Sequence, residues 1–532
     1  VDDQTPESKS NWLSRLRERF KPRGDVIVAN IGEGAQDVIV GKNVIKIGTL
    51  VVPATPVFVG VVILLALIGL AAYLYFVPDK MPEGRFNVAV AEFGELDANG
   101  DARSTANGQL FSRYIFDTLR GEMDELRPNL PGVLKPNIWH DSLFPTGMRA
   151  RIGLMPGKTR DARRDAAIQR AADLRANVVI YGNLASHQTP AAFVPEFYVA
   201  PIAGEADEIV GRYQFGAPIS VSLSGDEWAK SLPLNNTLAI RQKALAYFTL
   251  GLTYDLSGLH ADALDLFASA LSIIEKSENR EGEEILRYFI GRQHLFLAQK
   301  KYLEVESFNA QAQAAVTDAD KPAWRAKAQE ALSKVEQSGK DAEAQFLASR
   351  QANPNYAKAY YGLGGLARLR AQIQSPRERF EKPEFLSRAL DEYRQALAKA
   401  TADEPQTPLK VQMAMGGIYF LQGEASLHQF DYNAASDAFD NAIKLVEAQL
   451  PRLEQQPRTL AEAYLTLGSA YFEKGIAKKQ LNDSNASRQS FDQAIQYYSK
   501  CIELKKYDDE TLITLGVARC ERYRTQVQAQ TP

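Results

Sequence analysis

"YFTLGLTYDLSGLHADALDLFASAL", residues 247–271, decides how the second half of the chain is read. Tyr247, Leu250, Gly251 and Tyr254 recur at three- and four-residue spacing, so they share one face of a helix. A break containing Gly258 follows, and Ala263, Phe267 and Ala270 then mark a second helix at the same spacing. Small residues let two helix backbones approach, and the aromatics fill the space between them. The stretch predicts a helical hairpin whose signature residues are structural, not catalytic.

The pattern recurs downstream. Ile290 and Gly291 repeat it, with His294 in the tyrosine place and an expected degraded second helix in "KKYLEVESF". Ala342, Phe346 and Pro354 supply a second helix and its closing proline. Tyr360, Leu363 and Gly364 open a further pair, whose Ala389, Tyr393 and Ala396 arrive thirteen residues late. Gly416 and Tyr419 precede Ala435, Phe439 and Ala442, and Tyr464, Leu467, Gly468 and Tyr471 precede Ser487, Phe491 and Ala494. In both cases the second set comes seven residues late. Seven residues are about two helical turns, expected here as one extra turn per helix. "DDETLITLGVARCERYR", 508–524, reads as a closing cap helix.

These residues resemble the tetratricopeptide repeat (TPR) family, and the resemblance covers 235–532. It implies stacked helix pairs enclosing a concave groove that binds protein segments. By that geometry the groove-facing residues are Phe248, Tyr361, Met413, Phe420, Leu465 and Phe472, apolar as peptide anchors are. The alternative is that some of them pack on a neighbouring helix.

Before the repeats, residues 85–230 alternate strand and helix signals. "RFNVAVAEFG" (85–94), "GVLKPNIWH" and "VVIYGNLA" (178–185) read as buried strands. "AFVPEFYVAP" and "EIVGRYQFGAPISVSL" read as outer antiparallel strands. Helices are expected over 108–126 and from Asp161. The order resembles the N-terminal α/β domain of the TolB family, on "FNVAVAEF" and the alanine helix running into "ADLRANVVIYGNL". That resemblance implies an interaction module without catalytic residues. "GLMPGKTR", 153–160, imitates a phosphate-binding loop but has one spacer residue too few, Ile152 where the first glycine belongs, and Pro156 within the turn. An ordinary loop before a helix is expected.

"VFVGVVILLALIGLAAYLYFV", 57–77, carries no charge. As a helix it is about 31 Å long, the thickness of a bilayer core. It reads as a single transmembrane anchor, with a buried soluble helix as the alternative. Arg15, Arg17, Arg19, Lys21, Arg23, Lys42 and Lys46 precede it, against Lys80 and Arg85 soon after. The positive-inside rule therefore puts the N-terminus in the cytoplasm and the larger part outside, at the plasma (inner) membrane. Residues 1–52 would form the cytoplasmic tail. Its "DVIVAN" at Asp25 recurs as "DVIVGKN" at Asp37, separated by Gly and Asn, which predicts short strands and tight turns. Such a segment gains order by self-association, giving a homo-oligomer, or by binding a partner, or else stays a juxtamembrane linker.

The chain of 532 residues has 62 Lys+Arg against 65 Asp+Glu, a balance that argues against a nucleic-acid partner. Cys501 and Cys520 are too few for a disulfide framework, and the five histidines have no second ligand at helical spacing, so no metal and no cofactor is expected. The expected fold is α+β multi-domain: a transmembrane helix, a small α/β domain and an all-α solenoid. The expected function is a non-enzymatic, membrane-anchored scaffold of a bacterial envelope complex. The rival is a transmembrane sensor whose tail couples to an effector.

Overall fold

The computed structural model describes residues 27–29, 38–41, 44–47, 50–53, 63–68, 80–97, 99–126, 136–143, 152–185, 191–201, 207–214, 218–221, 236–276, 280–314, 320–454 and 456–504. They divide into two compact units, Val1–Asp79 with Pro145–Ala150, and Lys80–Phe144 with Arg151–Pro532.

In the first unit, β1 (Ile27–Ala29), β2 (Val38–Gly41), β3 (Val44–Ile47) and β4 (Leu50–Pro53) form an antiparallel sheet in chain order. The two copies of the short repeat pair with each other, Ile27 opposite Val40 and Ala29 opposite Val38. Of the predicted span at 57–77, only 63–68 is described. It is helical, and Ile63, Leu64, Leu65, Leu67 and Ile68 are all more than half exposed. The rest of that span lies outside the described residues, as do Arg15–Arg23 and the cap helix at 508–524. Among the described residues, no helix is long and apolar enough to cross a membrane.

The second unit begins with an eight-stranded sheet. Its central strand, β5 (Asn87–Val90), lies parallel between β8 (Asn137–His140) and β9 (Val178–Ala185). β6 (Gly94–Leu96) and β7 (Ala102–Arg103) extend the sheet beside β9. β10 (Ala191–Val199) runs antiparallel to β9 and carries β11 (Gly211–Tyr213) and β12 (Ile219–Val221) on its far edge. The strand period of two sorts the side chains. Val88, Val90, Val178, Ile180, Phe193 and Phe197 face α1 (Ala106–Leu126), whereas Ala89, Ala91, Val179, Tyr181 and Tyr198 face α2 (Arg160–Leu174).

The 153–160 stretch is the start of α2. Thr159 is its N-cap, with Oγ1 accepting from Ala162 N at 3.1 Å, two residues before the expected start at Asp161. Lys158 pairs with Asp101 at the surface.

Helix pairs follow: α3 (Asn236–Leu256) with α4 (His260–Glu275), and α5 (Glu283–Ala314) with α6 (Lys321–Ala352). Next, α7 (Ala357–Ile373) pairs with α9 (Glu384–Lys399) around the short α8 (Pro376–Glu381). α10 (Thr407–His428) pairs with α11 (Tyr432–Glu447), and after α12 (Leu450–Leu453), α13 (Pro457–Gln480) pairs with α14 (Ser484–Glu503). This is a TPR-like stack of helix hairpins.

Two expectations are corrected. The "KKYLEVESF" stretch is no second helix. It continues α5, a helix of 32 residues whose partner α6 carries Ala342 and Phe346. The seven extra residues of the last two pairs are not shared as one turn per helix. Both turns are added to the first helix, creating a second crossing point. A β-carbon at Gly416 would come within 2.6 Å of Val446 and one at Gly423 within 2.5 Å of Phe439. Gly468 and Gly475 repeat the arrangement against Tyr498 and Phe491, each at 2.5 Å. The second helices answer with Val446 and Tyr498, seven residues beyond Phe439 and Phe491. A seven-residue step keeps the same helix face, so both crossings stay in register.

Candidate functional site

The first helices of the pairs line one side of the stack, and the α/β part closes one end of it. α3 packs its Leu238 and Leu245 onto the sheet face beside α1. Phe248 is 1% exposed, its ring 5.4 Å from Phe197 and 5.0 Å from Phe289. It is therefore core and not a groove anchor, because strands β10 and β11 fill the space in front of it.

The short 3-10 turn Asp207–Ile209 then enters the stack. Glu208 accepts from Arg292 Nε at 2.6 Å, and Arg292 also pairs with Asp255. Burial works against the Arg292 charge, but Asp255 and Glu208 outweigh it and raise its pKa. Burial likewise opposes the Asp255 charge, yet Arg292 and the nearby His260 hold its carboxyl below the ordinary value. Beside this pair, Lys358 is fully buried, with Nζ against the Tyr213 hydroxyl and 3.5 Å from Val210 O. Burial pushes Lys358 down to about 8 and the neighbouring Glu404 up to about 6.

A second clasp joins the same two parts. The Asp403 carboxylate, on the loop before α10, receives Arg160 at 3.2 Å, Arg212 at 3.3 Å and Arg164 at 3.4 Å. Arg212 N also donates to Asp403 O at 3.0 Å. Gly211, at φ +151°, allows that approach, since a β-carbon there would collide with Asp403 O.

Beyond Glu208 the groove stays open as a cavity of about 290 Å³. Tyr361 on α7 and Met413 on α10 line it, with Arg368, Lys410, Thr459 and Glu462. Lys410 Nζ bonds Thr459 Oγ1 at 3.1 Å. Phe420 and Phe472 are placed elsewhere. Their rings lie 5.7 Å from Phe439 and 5.9 Å from Phe491, inside their own helix pairs. Leu465 packs toward the terminal cluster of Phe472, Phe491 and Tyr498. For these three, the added crossing at Gly423 and Gly475 supplies the aromatic partner that takes them out of the groove. The charged lining residues carried only a faint sequence signal: Arg368, Lys410 and Glu462 stand among other charged residues of the same first helices.

One other polar pair has the composition of a nucleophile and its base. Ser112 Oγ lies 3.1 Å from His140 Nε2, and both residues are buried. But Ser142 N donates to His140 Nδ1 and Ser112 Oγ donates to Gln109 O. Nε2 therefore carries the ring hydrogen and cannot accept the serine proton. Among the described residues no group of three His, Cys, Asp or Glu is placed to hold a metal.

No protein-family model matches this chain, and none of the curated proteins does. Among solved structures it is similar to BtubC (BKLC) from P. vanneervenii at 12% identity and a TM-score of 0.29, over 54% of this chain and 90% of that one. It is also similar to the TPR domain of P58(IPK) at 14% identity and a TM-score of 0.11, over 57% and 97%. Scores this low carry no inference, and the repeat assignment stands on the helix packing.

Proposed function

We propose that this protein is a non-enzymatic scaffold that binds a protein segment in the open part of its solenoid groove. The observation that carries this reading is the cavity beyond Glu208, where four successive first helices contribute Arg292, Tyr361, Met413 and Glu462. Next to it the groove already holds an ordered polypeptide, the chain's own 207–210 turn. In this reading the α/β part is an interaction module of TolB type, and residues 57–77 anchor the chain in the plasma membrane as part of an envelope complex. The exposed apolar run Ile63–Ile68 supports the anchor, since such a surface is costly in water. The N-terminal tail is cytoplasmic, and its self-pairing strands suit association of copies. The sensor alternative draws on the same sheet, which would couple the tail to an effector.

The test is crosslinked capture from native membranes with wild-type chain and with Met413→Arg, which plugs the cavity. Loss of specific captured proteins in the variant, at unchanged melting temperature, is expected. Equal capture by both overturns the groove reading. Protease added outside intact spheroplasts is expected to digest the part after Pro78 and spare an N-terminal tag, and a protected C-terminal part reverses the assignment of sides.

A further inference from the structure

The groove already seats one carboxylate, and it belongs to the chain itself. Glu208 reaches Arg292 by its side chain while the main chain of its turn runs alongside the solenoid. Further along the same cavity stands a second arginine, Arg368 on α7, half-buried between Tyr361 and Gly417. Its buried Nε has no hydrogen-bond partner. An arginine cannot shed its charge, so this nitrogen is left to water or to an acceptor from a bound partner. Gly417 lies beside it, where a β-carbon would be in ordinary contact with Arg368 Nη1 at 3.6 Å.

The lining selects the acceptor. Glu208 and Glu462 face Arg292, Arg368 and Lys410 across the same space, so the lining holds one cation in excess, and one carboxylate balances it and fits the Arg368 fork in two parallel bonds. The cavity is lined by four successive first helices, which suits a segment laid across them. Resting on the scaffold reading above, we propose that the partner is an extended protein segment carrying an internal glutamate or aspartate side chain, anchored on Arg368.

The probe is a dye-labelled peptide of this chain's own residues 203–211 with Glu205→Gln and Asp207→Asn, acetylated and amidated so that its one carboxylate is the Glu208 side chain. Titrated with the full chain in mild detergent, it is expected to bind saturably. Arg368→Gln should weaken binding at least tenfold at unchanged melting temperature, and Arg368→Lys, which keeps charge but loses the fork, by an intermediate factor. Replacing the peptide's one remaining glutamate by its amide should cost as much as Arg368→Gln. No saturable binding, equal binding by Arg368→Gln, or binding only when the peptide has a free C-terminus each overturns the proposal. Capture of native partners separates the two readings. If Met413→Arg loses them and Arg368→Gln keeps them, the scaffold stands and the acidic anchor falls. If both variants keep them, the groove reading itself falls.

Discussion

Arg292 and Glu208, 84 residues apart, form a buried ion pair that seats the α/β part in the groove of its own solenoid. Asp255 shares the same guanidinium, so one cation offsets two carboxylates. Arg292→Met leaves Glu208 buried without its arginine and Asp255 with only His260 nearby, and should destabilise the chain by about 3–5 kcal/mol. Glu208→Gln keeps a hydrogen-bond acceptor and leaves Arg292 paired with Asp255, so about 1–2 kcal/mol is expected. Urea unfolding of the two variants checks the order. An equal loss in both would mean that Asp255 does not share the charge.

The same docking makes the repeats dependent on the α/β part. Leu238, Leu245 and Phe248 are each less than a tenth exposed because the sheet covers them. Uncovering such side chains costs about 1.5–3 kcal/mol each. A fragment 235–532 should therefore bind an apolar dye and aggregate, while 80–532 should not. Equal behaviour in light scattering would count against a shared core.

Crossing glycines in the last pair give a graded test. Gly468 faces Tyr498 and Gly475 faces Phe491, both too close for any added carbon. Gly468→Leu and Gly475→Leu should each lower stability by roughly 1–3 kcal/mol, through overpacking. Phe491→Ala should cost about 3–5 kcal/mol by opening a cavity. If only Gly468→Leu lowers the melting temperature, the second crossing does not form.

At the start of α2 the threonine matters and the lysine does not. Thr159→Ala removes the N-cap bond to Ala162 and should cost about 1 kcal/mol. Lys158→Ala breaks only a solvent-exposed pair with Asp101 and should change thermal stability little. ATP binding lost in Lys158→Ala would contradict the role as an ordinary helix start.

Glu473 supplies a pH signature. Burial, with Glu424 adding to it, pushes its pKa from 4.5 up to about 7. A raised carboxyl pKa contributes stability that is present below pH 4.5 and is lost as pH rises through about 7. Glu473→Gln should therefore raise the stability at pH 8, by about 3 kcal/mol, and leave it unchanged near pH 4. The same rise at both pH values would mean the carboxyl titrates normally.

Local pattern by itself determined the hairpins, the strands at 87–90 and 178–185, and the β-rich tail, because three- or two-residue periodicity is a property of the nearest neighbours in the chain. It also determined that Gly251, Gly364 and Gly468 are packing residues, since each faces an aromatic side chain of its partner helix. What only the tertiary structure decided is which part of the concave face remains free. Phe248 sits at the same helical position as Tyr361 and Met413, three residues before the crossing glycine. One is core and the others line a cavity, because strands β10 and β11, 35 or more residues before Phe248, cover α3, while the cavity opens beyond Glu208. Phe420 and Phe472 were lost from the groove for a related reason. A seven-residue extension creates a second crossing beside them, and whether its two turns go into one helix or both depends on where the partner helix finds its packing, which spacing alone leaves open.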